Sequence, residues 1–175
     1  YKTCTIDQDG KMSLNGVEEK RIAKRAMMAT SFVDSHYVLD AAGDLWSWGR
    51  NGSGQLGHGD TDDREAPKMI EELKGKHVRE VSVGYTFCGV TVACITDDNT
   101  CYVWGDCERF GFDDDVATPF ELVFSQMKSI ALGSRHALMI DTANKVYGIG
   151  RNNNGQLGLG DNEDRSSWTK VTKMK

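Results

Sequence analysis

Residues 49–60 read GRNGSGQLGHGD and residues 150–161 read GRNNNGQLGLGD, with nine of the twelve positions identical. A hydrophobic run precedes each copy, LWSW at 45–48 and VYGI at 146–149. The copies lie 101 residues apart, so they indicate an internal repeat rather than a local pattern. An altered third copy, CYVWGDCERFGFDD at 101–114, keeps the hydrophobic run and its glycine but has a loop two residues shorter.

Four stretches of ten residues share one pattern, in which a polar turn is followed by an apolar run and a closing glycine. They read DQDGKMSLNG, DAAGDLWSWG, TDDNTCYVWG and DTANKVYGIG, and they end at Gly16, Gly49, Gly105 and Gly150. A polar turn followed by a short apolar run predicts a β-hairpin in each unit.

The apolar runs carry large side chains in a regular column. Residues two apart share one face of a strand, so the residues three and one before the glycine point the same way. These pairs are Trp46 and Trp48, Tyr102 and Trp104, and Tyr147 and Ile149, whereas the first unit has Ser13 and Asn15. The opposite face carries Leu45, Cys101 and Val146. Strands that are apolar on both faces are expected inside a stack of sheets.

A second apolar run recurs upstream of the hairpins. VREVSVG at 78–84 aligns with MKSIALG at 127–133 and, more loosely, with AKRAMMA at 23–29. These runs predict a further strand in each unit, although residues 18–28 also fit a short helix by periodicity. The closing glycines are spaced 33 to 56 residues apart, and about four short strands in that length predict a propeller blade. A β-sandwich is the alternative fold.

The GRNxxGQLGxGD loop, followed by a polar connector, an apolar strand and a hairpin, resembles the regulator of chromosome condensation repeat family. The resemblance extends over nearly the whole chain, but ERFGF replaces the GQLG element in the third unit, and the first unit continues as VEEKRIAK. The family fold is a seven-bladed β-propeller. The resemblance therefore implies an all-β partial β-propeller of about four blade units.

Four units of an expected seven cannot close a ring. Residues 1–175 are therefore expected to form one propeller segment, either as a fragment of a longer chain or within a ring completed by a second chain. The uncovered end faces are expected to expose columns such as Trp46 and Trp48 or Tyr147 and Ile149. Such exposed apolar surface promotes association.

The glycine loop allows two interpretations. Glycine-rich turns cradle phosphates in P-loops, but those loops lead into a helix and carry a GK[ST] element that is missing here. Positive φ angles explain the glycines better, with the glutamine and aspartate bonding the loop backbone. The predicted structural loop residues are Gly49, Gly54, Gln55, Gly57, Gly59, Asp60, Gly150, Gly155, Gln156, Gly158, Gly160 and Asp161. The candidate interface residues are His58, Asp62, Asp63 and Arg64.

TIDQDGKMS at 5–13 resembles the centre of a calcium-binding EF-hand loop. Asp7, Asp9 and Gly10 match three of its positions, but Thr5 and Gly16 stand where the first carboxylate and the bidentate glutamate are required. A degenerate propeller hairpin explains the stretch better, and no metal site is predicted.

The cysteine spacings match no zinc pattern. A turn predicted at residues 97–98 places Cys94 opposite Cys101, which permits a cross-strand disulfide. The favoured alternative is that both are small buried hydrophobic residues in a reducing compartment.

Composition narrows the class of partner. A net charge of −5 provides no basic footprint for nucleic acid, and the cluster of Lys20, Arg21, Lys24 and Arg25 is too short to change this. No apolar run is long enough to span a bilayer. We predict an intracellular protein of the nucleus or cytoplasm. Organelle targeting stays open because the chain begins at Tyr1.

The four histidines, the serines and the aspartates show no spacing typical of a catalytic triad, and no cofactor is predicted. The chain is therefore predicted to bind rather than to catalyse, as a protein-interaction scaffold or regulatory module. Its predicted partners are proteins and further propeller blades. The resemblance also implies an alternative, guanine-nucleotide exchange on a Ran-like small GTPase. Chromatin binding is disfavoured by the acidic composition.

Overall fold

The computed structural model describes residues 4–6, 12–14, 17–18, 26–32, 34–85, 89–107, 116–124 and 126–172. Its strands are β1 Cys4–Ile6, β2 Met12–Leu14, β3 Val17–Glu18, β4 Ala26–Phe32, β5 Ser35–Asp40, β6 Leu45–Gly49, β7 Arg64–Met69, β8 Val78–Tyr85, β9 Val90–Thr96, β10 Cys101–Gly105, β11 Val116–Glu121, β12 Met127–Leu132, β13 His136–Asp141, β14 Val146–Gly150 and β15 Arg165–Lys170. A short 3₁₀ helix spans Glu71–Leu73. None of the described helical residues forms a segment long and apolar enough to cross a membrane.

The strands form three four-stranded antiparallel sheets, here called blade A (β4–β7), blade B (β8–β11) and blade C (β12–β15). In each blade the strands pair in the order in which they follow one another along the chain. The first strands of blades B and C lie close together, as expected for sheets arranged around a common axis. The predicted all-β partial propeller is confirmed, and the stretch containing residues 26–28 is a strand rather than a helix.

The first unit contributes a smaller sheet of three strands, in which β1 pairs with β2 and β2 with β3. Thr5 lies opposite Ser13, which is the antiparallel hairpin predicted for this stretch. The EF-hand positions Asp7, Asp9 and Gly10 and the closing Gly16 lie outside the described residues.

An aspartate organises the hairpin turn of blades A and C. The Asp40 carboxylate accepts hydrogen bonds from the backbone N–H groups of Ala42 (2.8 Å) and Asp44 (3.1 Å), and from Trp46 Nε1 (3.1 Å). In blade C, Asp141 accepts in the same way from Lys145 N (2.8 Å) and from the Tyr147 hydroxyl (3.2 Å). Such side-chain bonds to nearby backbone groups are the reason aspartate favours turns. In blades A and C, the first aromatic residue of the column therefore also supports the turn of its own hairpin.

Blades B and C pack their aromatic columns against the preceding blade. Tyr102 and Trp104 of blade B form one core cluster with Tyr37, Leu39 and Leu45 of blade A. Cys101 and Val103, on the opposite face of the same strand, pack with Ile130 and Met139 of blade C. Alternation along the strand thus divides the apolar residues between two interfaces.

This direction of stacking corrects the expected end faces. Trp48 and Ile149 are only 2% and 3% exposed, whereas Trp46 and Tyr147 are half-buried. Trp48 packs with Ala26 and Val38 in a third cluster. On blade C the forward face carries Val146 and Ile140 instead, and Ile140 is 37% exposed. The apolar side chains left partly uncovered on this face of blade C are therefore aliphatic.

The predicted opposition of Cys94 and Cys101 is wrong. Cys94 lies opposite Tyr102, and Cys101 lies opposite Ile95. The turn contains three residues rather than two, since Thr96 N bonds to Thr100 O and Asn99 adopts a positive φ of 66°. A shift of one residue moves a side chain to the other face of its strand. Both thiols are free and buried, and burial raises the pKa of Cys101 to about 12.

Candidate functional site

The two glycine loops, loop A (residues 49–60) and loop C (residues 150–161), begin where the third strand of a blade ends. Gly49 and Gly150 have φ angles of 103° and 97°. A Cβ atom on Gly49 would overlap the carbonyl oxygen of Asp34 on the neighbouring strand. That carbonyl accepts a hydrogen bond from Arg50 N at 3.0 Å, so the chain leaves the sheet through a close backbone contact.

A buried asparagine holds each loop together. Asn51 is fully buried, and its Oδ1 accepts from Leu56 N (2.8 Å) while its Nδ2 donates to the carbonyl oxygen of Asp60 (2.9 Å). Its backbone N–H donates to Asp63 Oδ1 at 2.7 Å. Asn152 makes the matching bonds in loop C, to Leu157 N (2.9 Å), Asp161 O (3.0 Å) and Asp164 Oδ1 (2.7 Å).

Neither asparagine was among the predicted site residues. The signal was in the sequence, because Asn51 and Asn152 are identical positions of the repeated motif and stand beside the glycines. A polar side chain at such a position can bond two backbone groups that would otherwise be buried without partners.

The loop glutamine and aspartate also bond the backbone. Gln55 Oε1 accepts from Ser53 N at 2.9 Å, and Gln156 Oε1 accepts from Asn154 N at the same distance. Asp60 Oδ1 accepts from Asp62 N at 3.1 Å. Several N–H groups that could face a phosphate, those of Ser53, Gly54, Leu56 and Gly57, are thus already engaged within loop A.

An ion pair closes each loop. Arg64 donates from both terminal nitrogens to the two carboxylate oxygens of Asp60, at 2.9 and 2.7 Å. Arg165 donates to Asp161 Oδ2 at 2.6 Å. The hydrogen bonds from Arg64 hold the pKa of Asp60 well below its usual range. Asp161 likewise has a lowered pKa, caused first by the Glu163 backbone N–H and then by Arg165.

The four candidate interface residues lie together at the rim of loop A, but they differ in what they bond. Asp63 and Arg64 are engaged inside the loop through Asn51 N and Asp60. Asp62 is exposed, and its carbonyl oxygen accepts from Arg64 Nη1 at 2.8 Å. His58 is half-buried.

His58 bonds a buried serine of its own blade. Its Nε2 lies 3.0 Å from Ser47 Oγ, and that hydroxyl donates to the Leu56 carbonyl at 2.6 Å, so the ring nitrogen is the donor. Burial, with the positive charges of Arg64 and Lys68, lowers the pKa of His58 to about 4. The ring is therefore neutral at pH 7, with a lone pair on Nδ1.

Loop A also contacts blade B. The Gln55 carbonyl oxygen accepts from Trp104 Nε1 (2.7 Å) and from the Tyr37 hydroxyl (2.9 Å). A Cβ atom at Gly57 would lie 3.0 Å from Trp104 Nε1. Gly59 N donates to the Ala117 carbonyl oxygen at 2.9 Å. The loop therefore joins two consecutive blades by polar bonds to main-chain atoms.

Loop C has the same internal bonds but no such neighbour among the described residues. Gly158 is exposed where Gly57 is buried. A Cβ atom at Gly158 would meet only Val171 Cγ1, at 3.8 Å, and one at Gly160 would meet nothing within 4 Å. Gly158 nevertheless keeps a φ of 69°. The left-handed conformation thus belongs to the loop itself and does not depend on packing.

Within the part of the chain that the structure describes, no three histidine, cysteine, aspartate or glutamate side chains are grouped so that they could hold a metal ion. The third unit lacks the full motif, and Gly111 with the rest of 108–115 lies outside the described residues.

Stacked four-stranded sheets joined by such loops define a β-propeller repeat protein. The family model of the Regulator of chromosome condensation (RCC1) repeat matches residues 42–91 and 144–174, and a second model of the same repeat matches residues 127–156. These ranges cover more than half of the chain, which therefore belongs to the RCC1 repeat family. The family predicted from the loop motif is confirmed.

The Ultraviolet-B receptor UVR8 of Arabidopsis thaliana is 37% identical over 155 residues, covering 84% of this chain and 34% of UVR8. Human WBSCR16 shares the fold with a TM-score of 0.76 at 20% identity, over 89% of this chain and 40% of that structure. Prp20p of Saccharomyces cerevisiae has a TM-score of 0.72 at 20% identity, over 93% of this chain and 40% of its own. The chain thus spans well under half the length of each of these proteins.

Proposed function

We propose that the chain is a non-catalytic protein-interaction module, part of a scaffold or regulatory protein built from RCC1 repeats. The observation that supports this most is the construction of loop A. Its backbone is held by Asn51, Gln55 and Asp60, while Asp62 and Asp63 remain exposed at the rim. A rigid loop with an exposed polar rim suits binding, because its side chains are already positioned for a partner.

The proposed interface is the rim formed by His58, Asp62, Asp63 and Arg64. Asp63 and Arg64 support the rim through their bonds within the loop, whereas His58 and Asp62 supply contacts to the partner. Loop C differs here, since Leu159 replaces His58 and Gly148 replaces Ser47. The Ser47–His58 pair, with its Nδ1 acceptor, is thus a feature of loop A and not of the repeated framework.

The interface is tested by placing a photo-crosslinking amino acid at Asp62 in cells and, as a matched control, at Glu163, the equivalent position of loop C. We expect a discrete crosslinked protein species from position 62 that is absent from position 163. The species is expected to weaken with His58→Leu, which installs the residue of loop C. Equal crosslinking from both positions would contradict an interface at loop A.

The alternative is guanine-nucleotide exchange on a Ran-like small GTPase. It is favoured by the fold shared with Prp20p, whose structure was reported with its binding properties to Gsp1p and histones. At 20% identity, this likeness extends to the fold alone. A nucleotide-release assay with a panel of small GTPases separates the two functions. We expect no acceleration of release, and a clear acceleration for any member would establish exchange instead.

We further propose that another propeller blade, from the same chain or from a second one, covers the forward face of blade C. Support comes from Ile140, Gly158 and Gly160, which have no described neighbours equivalent to those that blade B supplies to blade A. Residues 1–175 then act as one segment of a larger ring.

An intracellular location, in the nucleus or cytoplasm, is proposed as well. It is supported by Cys94 and Cys101, which are buried and free. Free thiols are the usual state in a reducing compartment.

A further inference from the structure

A polar pocket of about 530 Å³ lies where blade C meets the end of β8. Its walls include Arg135 and His136 from the β12–β13 turn, Arg151, Asn154 and Gln156 from loop C, and Tyr85 from blade B. Among the described residues, no aspartate or glutamate lines it. Both arginine side chains are exposed.

The two arginines occupy adjacent positions at the end of one hairpin. His136 pairs with Gly150, and Arg151 N donates to the Arg135 carbonyl oxygen at 2.7 Å. Two cations fixed side by side repel one another unless an anion lies between them.

The other blades carry different charges at this place. In blade A the equivalent residues are Asp34 and Arg50, since Ser35 pairs with Gly49. In blade B they are Val90 and Asp106, since Thr91 pairs with Gly105. The repeated framework therefore does not require two arginines, and their pairing is particular to blade C.

Both guanidinium groups are also without a protein acceptor among the described residues. Arg64, Arg79 and Arg165 by contrast each bond oxygen atoms of the protein. Guanidinium groups bind carboxylates through two parallel hydrogen bonds. Gln156 lines the same pocket, and because its Oε1 accepts from Asn154 N, its amide nitrogen is the group that can donate to a ligand.

We propose that this arginine pocket binds an acidic peptide segment of a partner protein, with carboxylates held by Arg135 and Arg151. The proposal rests on the proposed function as a protein-interaction module and names a second contact surface for it. A short acidic segment suits a local pair of cations, whereas a long polyanion would meet the net charge of −5 carried by the chain.

The test measures binding of a fluorescein-labelled hexaglutamate peptide to the full chain by fluorescence anisotropy. Arg135→Asp and Arg151→Asp place an aspartate where blades A and B carry Asp34 and Asp106, so the framework tolerates this residue type. We expect each to weaken binding by about tenfold or more. Arg50→Asp, the matched control with the same change in charge, is expected to leave affinity nearly unchanged.

Arg151→Lys keeps the charge but removes the fork of donors, and an intermediate affinity is expected. Equal losses from Arg50→Asp and Arg151→Asp would show non-specific attraction and overturn the proposal. Tight binding of inorganic phosphate or of a single-stranded oligonucleotide, with no binding of the peptide, would overturn it in favour of those ligands. If the peptide does not bind, the proposed peptide site in this pocket is wrong. The proposed function is unaffected by that result, because nucleotide release and crosslinking at Asp62 are measured independently.

Discussion

At the scale of single residues, the loops depend on side chains that satisfy the backbone. Asn51 and Asn152 each bond two loop backbone groups from a fully buried position, and they do so with nearly the same distances. A buried amide that matches its partners stabilises one backbone path, since leaving those partners unpaired costs about 1–3 kcal/mol each. The glycines then supply the positive φ angles that this path requires.

Gly57→Val and Gly158→Val are each expected to lower the free energy of unfolding, by about 1–3 kcal/mol, because a β-branched residue is strained at positive φ. The loss should be larger at Gly57, where the new side chain also meets Trp104. Denaturant titration of each variant measures the change.

Gly52→Val is the control for this pair, because Gly52 has no positive φ and a Cβ there would meet nothing within 4 Å. An unchanged stability of Gly57→Val would refute a strained structural loop. Gly111, the corresponding glycine of the third unit, is also predicted to be sensitive to replacement.

His58 should make stability depend on pH. Its pKa is about 4 in the folded chain against 6.5 as the ordinary value. Between these two values the unfolded chain binds more protons, so stability falls as pH decreases from 6.5 towards 4. We expect His58→Leu to reduce the change of stability with pH, while the contributions of the other titratable groups stay the same. The measurement is the urea midpoint of the original chain and of the variant from pH 7 to pH 4. An identical dependence on pH in both would show that the pKa of His58 is not lowered by folding.

At the scale of elements, the hairpins of the three blades share a turn of three residues, one more than predicted for blade B. The last turn residue has a positive φ in each blade, at Gly43, Asn99 and Asn144. Asp40 and Asp141 also close the turns of blades A and C. The additional turn residue decides which face each following side chain occupies. In blade B it places Cys94 and Cys101 on opposite faces of the sheet, so they form no disulfide.

The first hairpin should not respond to calcium. Because β1 and β2 pair as a propeller hairpin, millimolar calcium is expected to leave the thermal midpoint unchanged. A ligand that binds only the native state must raise that midpoint. The measurement is a thermal melt with calcium and with a chelator. An increase of several degrees in calcium would restore the EF-hand interpretation.

At the scale of the whole molecule, consecutive blades are joined by an apolar interface and by a loop. Trp104 takes part in both, through the core shared with Leu45 and through its hydrogen bond to the Gln55 carbonyl oxygen. Each blade is thus completed by the one that follows it. Blade C, with loop C, displays this surface uncovered by the described residues.

Residues 1–175 expressed alone should therefore either self-associate or show amide hydrogen exchange that differs between loop A and loop C. We expect faster hydrogen exchange in loop C than in loop A, which is the internal control because it has nearly the same sequence but is covered by blade B. Mass in solution and exchange protection are the measurements. A stable monomer with equal protection of both loops would point to a smaller closed architecture.

The sequence by itself determined the repeat, the loop and the apolar strands of each blade, whereas the fourth strands β7 and β11 lie in stretches that were predicted to be polar connectors. The repeated GRNxxGQLGxGD motif can be recognised from the sequence because turn residues and alternating apolar residues set the backbone conformation within a few positions of themselves. The strand pairing of each hairpin followed, except that the turn of blade B was predicted one residue shorter than the three residues found in every blade. Comparing the two copies of the motif could also have identified Asn51 as a structural residue.

Only the tertiary structure decided which face of a blade meets which neighbour. Both faces are apolar, so periodicity cannot distinguish them, and the direction of stacking depends on how whole sheets pack. The bond from Trp104 to Gln55 joins residues 49 positions apart. The arginine pocket likewise draws Tyr85, Arg135 and Arg151 from three separate segments, and their proximity arises from the packing of blade B against blade C.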